Sequence, residues 1–259
     1  MASGARAITE AIEMAIGPAI CAYVTAGFPT LEGFADELRS VARAADVVEV
    51  GVPFTDPMAD GLTIQRASHV ALENGVNLDW ILETLRQGSA ASEAPILLMG
   101  YYNPFLAYGL DRLGANLASA GVSGLIVPDL PHEESADLRE SLDPAGIALV
   151  QLVTPSTPDH RLSRLAAASG GFLYAVTTTG VTGGETAFEA ETLDYLHRVR
   201  EVSPVPVLAG FGIRDADQVK KLAPYVDGVV VGSALIDAIE RGENPGAFID
   251  ELRFEEVPA

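Results

Sequence analysis

The stretch Val48-Glu49-Val50-Gly51-Val52-Pro53-Phe54-Thr55-Asp56-Pro57-Met58-Ala59-Asp60-Gly61 holds a strand end, a turn-rich loop and a helix start in succession. The run from Asp46 to Val50 is β-branched, and it sets the carboxylate of Glu49 among valines. A solvated loop has no use for a carboxylate in such a run. The loop then ends in a second carboxylate, Asp60, just ahead of the amphipathic stretch Ile64–Glu73. One acid desolvated at a strand end and another held nearby on a loop is the layout of a proton-transfer site.

The strand–loop–helix unit recurs along the chain. Apolar runs at Ala19–Thr25, Val47–Gly51, Ile96–Met99, Gly124–Val127, Ala148–Val153, Phe172–Val176, Val205–Ala209 and Gly228–Val231 read as strands buried on both faces. Between them lie helical patterns at Leu31–Ala44, Ile64–Glu73, Leu78–Gln87, Leu113–Ala120, Ser135–Leu142, Arg161–Ala168, Leu193–Val202 and Asp217–Leu222. Thr30, Pro158-Asp159 and Asp215 with Asp217 supply helix-start signals. This repetition predicts an α/β fold, a closed (β/α)8 TIM barrel rather than an open doubly wound sheet. An extra N-terminal helix, Ala5–Ile16, is expected to cap the barrel bottom, and a short helix, Ala234–Ile239, to follow the eighth strand. No linker interrupts the chain, which reads as one domain across residues 1–259.

Composition narrows the function classes. Hydrophobic residues make up 48% of the chain and mean hydropathy is +0.24, as in a packed globule. No apolar stretch approaches the roughly 20 residues of a membrane helix, and the N-terminus lacks a secretory signal pattern. Cys21 is the only cysteine, so an intrachain disulfide and a multi-cysteine metal site are both excluded. A reducing cytoplasm is the expected compartment. Acidic residues outnumber basic ones by 36 to 16, a net charge of −20, and Lys220 and Lys221 are the only lysines. Nucleic-acid binding is disfavoured by such a surface. Disorder is excluded by the apolar content. The excess acidity with little lysine instead suggests adaptation to high salt, where repulsion is screened over about 3 Å at 1 M.

In a (β/α)8 barrel the loops at the carboxyl ends of the strands build the site. That face receives Glu49, Asp60, Tyr23, Tyr101, Tyr102, Asn103, Asp129 and Tyr174. Three glycine-rich turns follow the late strands: Thr177-Thr178-Thr179-Gly180-Val181-Thr182-Gly183-Gly184, Gly210-Phe211-Gly212-Ile213 and Gly232-Ser233. A single Gly-x-Gly is weak evidence. Three at successive late strand ends, one opening a short helix, match a phosphate site made of backbone N–H groups.

With these residues placed, the chain resembles the α subunits of tryptophan synthase from about Ala19 to Ile239. The motif Glu-x-Gly-x-Pro-Phe-Thr-Asp-Pro-x-Ala-Asp-Gly starting at Glu49 carries the resemblance, together with Val127-Pro128-Asp129-Leu130-Pro131 and Gly180-Val181-Thr182-Gly183. The resemblance implies cleavage of indole-3-glycerol phosphate to indole and glyceraldehyde 3-phosphate. It implies no cofactor or metal in this chain, and a pyridoxal-phosphate β subunit as partner in an αββα heterotetramer. By position it makes Glu49 the general acid–base and Asp60 the group that binds the indole N–H. Tyr23, Tyr101, Ile126, Tyr174 and Phe211 would line the indole pocket. Gly183, Gly212, Gly232 and Ser233 would hold the phosphate, and Thr182 would orient Asp60. Leu62 stands where many members carry proline, and Thr178 where bacterial members often carry arginine.

The residues suit that chemistry. Cleavage requires a proton on C3 of the indole, which puts positive charge near N1. A protonated acid over C3 and an anion at N1–H meet both needs. Burial should raise the pKa of Glu49, while Asp60, on a more polar loop, should stay ionised. An Asp-Gly pair at a helix start is also a common N-cap, and that role is compatible with catalysis. Asp129, at the end of the fourth strand, either binds substrate or positions Glu49 and its neighbours, and Asp56 reads as surface loop. A Schiff-base aldolase needs a strand-end lysine, and both lysines fall on the seventh helix. A metal enzyme needs clustered ligands, whereas His69, His132, His160 and His197 read as surface residues. The non-enzyme alternative is a silent regulatory partner of a β-type subunit, against which the intact Glu49 and Asp60 argue.

Overall fold

Short runs of Val, Ile, Leu and Ala can be covered on both faces without stranding a polar side chain, and here they become the staves of a barrel. The structure is a computed structural model describing residues 3–88, 94–177, 190–210 and 212–253. Its strands are β1 (Ala19–Thr25), β2 (Val47–Gly51), β3 (Ile96–Met99), β4 (Val122–Ile126), β5 (Ala148–Val153), β6 (Leu173–Val176), β7 (Val207–Gly210) and β8 (Gly228–Val231). They are parallel, pair in chain order and close β8 onto β1, a TIM barrel.

Three strands differ slightly from the expected bounds. β4 starts earlier because Val122 pairs with Ile96 ahead of a register shift. β6 starts one residue later, at Leu173. β7 starts after Pro206, which has no N–H to donate, although its carbonyl accepts from the Leu173 amide at 2.8 Å.

The helices are α1 (Ser3–Glu13), α2 (Leu31–Ala44), α3 (Leu62–Glu73), α4 (Leu78–Gly88), α5 (Tyr102–Tyr108), α6 (Leu110–Ser119), α7 (Ala136–Leu142), α8 (Asp159–Ala168), α9 (Ala190–Val202), α10 (Ala216–Leu222), α11 (Ser233–Glu240) and α12 (Pro245–Leu252). The Thr30 hydroxyl accepts from the Gly33 amide at 3.2 Å and caps α2; Asp215 accepts from the Gln218 amide at 2.9 Å and caps α10.

The N-terminal helix α1 closes the barrel bottom, where the strands begin. Ile8 is fully buried, the Thr9 hydroxyl donates to the Gly171 carbonyl at 2.7 Å, and the Gly4 amide donates to the Gly146 carbonyl at 2.9 Å. A Cβ at Gly4 would lie 2.0 Å from the Ser123 carbonyl oxygen, so only glycine permits this approach. The helix ends at Glu13, leaving Met14 and Ile16 exposed rather than helical.

Two helices were not expected. α12 has a readable signal, Asn244-Pro245, with the Asn244 side chain accepting from the Ala247 amide at 2.9 Å. α5 has no local cap, for a reason that appears in the site. None of the helices among the described residues is long and apolar enough to cross a membrane.

Candidate active site

All five residues of β2 are buried, and Glu49 is only 1% exposed. Its Cα pairs with Tyr23 of β1 on one side and Leu97 of β3 on the other. The Cys21 thiol lies within weak donating range of Oε2, at 4.0 Å. Burial first, and then the charge of Asp60, push the carboxyl from 4.5 up to about 8. Glu49 therefore carries its proton at neutral pH. Tyr23 and Tyr174 are buried beside it, and burial, with the neighbouring carboxylates, raises both phenols.

Two glycines make room for these phenols. A Cβ at Gly51 would lie 2.1 Å from the Tyr23 hydroxyl, and one at Gly210 would lie 2.2 Å from the Tyr174 hydroxyl. In the sequence Gly51 reads as the end of the second strand and Gly210 as half of a Gly-x-Gly. The available signal was a tyrosine two positions before the neighbouring strand's matching residue, since Thr25 pairs with Gly51.

Asp60 is held from the side by Tyr101. The Tyr101 hydroxyl donates to Asp60 Oδ2 at 3.3 Å and accepts from the Ala59 amide at 2.8 Å. Its ring stacks on Phe54, with centroids 5.1 Å apart and planes at 27°. Partial burial lifts the Asp60 carboxyl from 3.8 to about 6, and the Tyr101 hydrogen bond works against that rise. Asp60 is less acidic than its loop position suggests, yet largely ionised at pH 7. It is not the cap of α3: the N-cap position falls on Gly61, without a side-chain bond, and the helix begins at Leu62. Its carboxylate is thus left for other work, while its carbonyl accepts from the Gln65 side chain at 2.8 Å.

Of the paired tyrosines, Tyr101 is the buried one that meets Asp60, whereas Tyr102 is half-buried. The Tyr102 amide donates to Asp129 Oδ1 at 2.9 Å. Asp129 thus serves the start of α5 from the loop after β4, which is why α5 carries no local capping signal.

On the opposite side of the barrel mouth, Gly232 follows β8 and takes the N-cap position of α11 with no side-chain cap bond. First-turn amides of such a helix lack intrahelical partners and suit an anion. A Cβ at Gly232 would lie 3.5 Å from the Tyr23 ring, and one at Gly61 would lie 4.0 Å from the Ser233 hydroxyl. The start of α11 therefore adjoins both Tyr23 and the end of the Asp60 loop. Gly212 is exposed, with φ at +88°. Ile126 is fully buried at the end of β4. Thr182, Gly183, Phe211 and Thr178 lie outside the described residues.

The remaining chemistry-bearing residues stand apart. Lys220 and Lys221 are exposed on α10. His69 and His197 face Glu73 and Glu201 one turn along exposed helices, at 3.3 and 3.7 Å. His160 is exposed on α8, while His132 is half-buried in a 3-10 turn, with a buried Nδ1 that has no hydrogen-bond partner. Among the described residues, no three His, Cys, Asp or Glu side chains are grouped as metal ligands.

The sequence model of the tryptophan synthase alpha chain family matches residues 11–255. The chain belongs to the tryptophan synthase alpha chain family. The alpha chain of Nitratidesulfovibrio vulgaris is 44% identical over 245 residues, covering 94% of this chain and 95% of that one. That of Chloroflexus aggregans is 45% identical over 225 residues, covering 86% and 84%. Among solved structures, Mycobacterium tuberculosis tryptophan synthase superposes with a TM-score of 0.87 at 35% identity, covering 97% of both chains. The tryptophan synthase a2b2 complex of Pyrococcus furiosus does so with 0.85 at 33% identity, covering 92% of this chain and 99% of that one. As a tryptophan synthase alpha chain, the protein is a lyase of tryptophan biosynthesis, and its reaction is the cleavage of indole-3-glycerol phosphate.

Proposed function

We propose that Glu49 protonates C3 of the indole ring and that Asp60 stabilises the positive charge arising at N1. The observation that carries this reading is the pair of divergent carboxyls, Glu49 at about 8 and Asp60 at about 6. At neutral pH the first holds a proton to give and the second is an anion to receive the indole N–H. Once Glu49 has given its proton, it is the base that accepts the proton of the 3′-hydroxyl as the aldehyde forms. The C3–C3′ electron pair returns to the ring, and Glu49 is left protonated, as it began.

Tyr23, Tyr101, Ile126, Tyr174 and Phe211 line the indole site in this reading. Gly183, Gly212, Gly232 and Ser233 hold the phosphate through backbone and hydroxyl donors, and Thr182 orients Asp60. The closeness of Tyr23 to Gly232, and of Gly61 to Ser233, supports a substrate lying from α11 to the carboxyl pair. The partner is the pyridoxal-phosphate β subunit, in a heterotetramer of two alpha and two beta chains, and this chain itself needs no cofactor. We place the protein in the cytoplasm as one domain, with an acidic surface, net −20, adapted to high salt.

The test is indole release from indole-3-glycerol phosphate. Glu49→Gln keeps substrate binding and loses about 10²–10⁴-fold in kcat, because the amide cannot shuttle a proton. Asp60→Asn also loses turnover. Wild-type kcat in Glu49→Gln overturns the assignment of the acid, and wild-type kcat in Asp60→Asn overturns that of the anion.

A further inference from the structure

Helix α5 begins in an unusual way. The residue before it, Tyr101, occupies the N-cap position, but its hydroxyl is engaged with Ala59 and Asp60 and makes no cap bond. The first-turn amide of Tyr102 is instead taken up by Asp129 Oδ1 at 2.9 Å, from a loop 27 residues along the chain. On the other side of Tyr101, the Gly100 amide donates to the Ile126 carbonyl at 3.1 Å. A Cβ at Gly100 would lie 3.0 Å from both the Phe105 ring and Val52, so that side is fixed by close packing. The segment carrying Tyr101 is thus tied to the sheet at Gly100 and to Asp129 at Tyr102. Between the ties, the phenol reaches Asp60 over 3.3 Å, a long O–H···O bond that a small outward shift of the ring would break.

We infer that Asp129 is a positioning residue for the carboxylate at Asp60, acting through the Tyr102 amide on the placement of the Tyr101 phenol. The inference rests on the reading of Asp60 as the anion that meets the indole N–H. Asp129 itself is exposed and is the cap of α5, so it need not touch the reacting atoms.

The two ways in which Asp129 can influence the reaction differ in sign. The groups facing Asp60 are Tyr101 at the start of α5, Glu49 on β2, Tyr23 on β1 and Tyr174 on β6. The Tyr101 bond holds the Asp60 carboxyl down. Loosening that bond lets Asp60 rise, and the acid limb of the pH–rate profile moves to higher pH. Removing the charge of Asp129 by a through-space effect would do the reverse, because a lost negative neighbour makes Asp60 more acidic. Asparagine at 129 keeps a carbonyl acceptor for the Tyr102 amide while discarding the charge.

The experiment measures kcat/KM for indole release against pH in the full chain with its β subunit. Asp129→Ala is expected to move the acid limb up by about half to one pH unit, the size of one hydrogen bond. It should lower kcat at pH 6 more than it raises KM. Asp129→Asn should restore the wild-type profile. Tyr101→Phe should reproduce the upward shift, and Asp129→Ala added to it should shift the limb no further. Asp129 is exposed, so a melting temperature near that of wild type is expected, and the Asn variant gives the comparison in an isosteric chain.

An unmoved acid limb in Asp129→Ala overturns the inference. So does a downward shift, or a shift that persists undiminished in the Tyr101→Phe background. Wild-type kcat in Asp60→Asn overturns the underlying reading of Asp60 instead, and so tells the two failures apart.

Discussion

Between pH 5 and pH 9, kcat/KM for indole release should trace a bell centred near pH 7, and the structure sets its width. The productive form has Glu49 protonated and Asp60 ionised. With Glu49 at about 8 and Asp60 at about 6, that form makes up about 0.8 of the enzyme at pH 7 and about 0.1 at pH 5 and at pH 9. Activity is lost on the acid side as Asp60 takes up a proton, and on the alkaline side as Glu49 gives one up. If Glu49 kept the ordinary 4.5, only about 0.003 of it would be protonated at pH 7, so burial enriches the acid a few hundredfold. The limbs belong to the coupled pair, because the charge of Asp60 is part of what raises Glu49. The assay is steady-state indole release across the range at fixed ionic strength. Infrared or NMR titration of the Glu49 carboxyl in Asp60→Asn adds a check: it should titrate at lower pH than in wild type, though still raised by burial. A rate that climbs steadily from pH 5 to pH 9 would refute the reasoning, since Glu49 would then act from its ionised form.

The phosphate reading predicts that Gly232→Ala raises KM for indole-3-glycerol phosphate roughly tenfold, because its Cβ crowds a phosphate oxygen and weakens one charge-assisted hydrogen bond to the backbone, while indole alone binds normally. The fold should tolerate the change, because the added Cβ meets Tyr23 and Ile64 at ordinary distances of 3.5 and 3.6 Å; equal weakening for indole would refute it. Gly212→Ala is a poorer probe, since φ of +88° strains any other residue. The buried Glu49 favours the folded state only while protonated. Glu49→Gln should therefore melt higher than wild type, by a margin that grows from about pH 5 and levels off above about pH 8; equal melting temperatures at pH 9 would show that the carboxyl is not desolvated. Molar KCl should raise the melting temperature of a chain with net charge −20, and an unchanged value from dilute buffer upward would remove the case for salt adaptation. Adding the β subunit should raise kcat more than it lowers KM, because ordering the Pro53–Asp60 loop acts on the transition state. Equal kcat values with and without it would sink that coupling.

Much of the barrel was legible because its signals are local. Continuous β-branched runs, the caps at Thr30 and Asp215, and Glu49 inside a valine run each declare themselves within a few residues. The misses have specific causes. Helix α5 is capped from another loop, so no window around Tyr102 contains its signal. β7 was begun too early because Val205 and Pro206 look like strand by composition, while the proline cannot donate to the ladder. The alternative role of Asp60 as helix cap is not the one the chain uses, because Gly61 takes that position with no side-chain bond.

By itself the sequence determined the order of strands and helices, the strand-end placement of Glu49 and the family motif running to Gly61. These depend on periodicity, propensity and residue type, which short stretches carry. Only the tertiary structure decided that Tyr101 rather than Tyr102 meets Asp60 across 41 residues, and that Asp129 anchors the segment between them. It alone showed that Gly51 and Gly210 are vacant spaces for two phenols. The proton affinities of the two carboxyls belong to that level as well. Burial and the separation of charges exist only once eight strands have closed and their loops share one mouth.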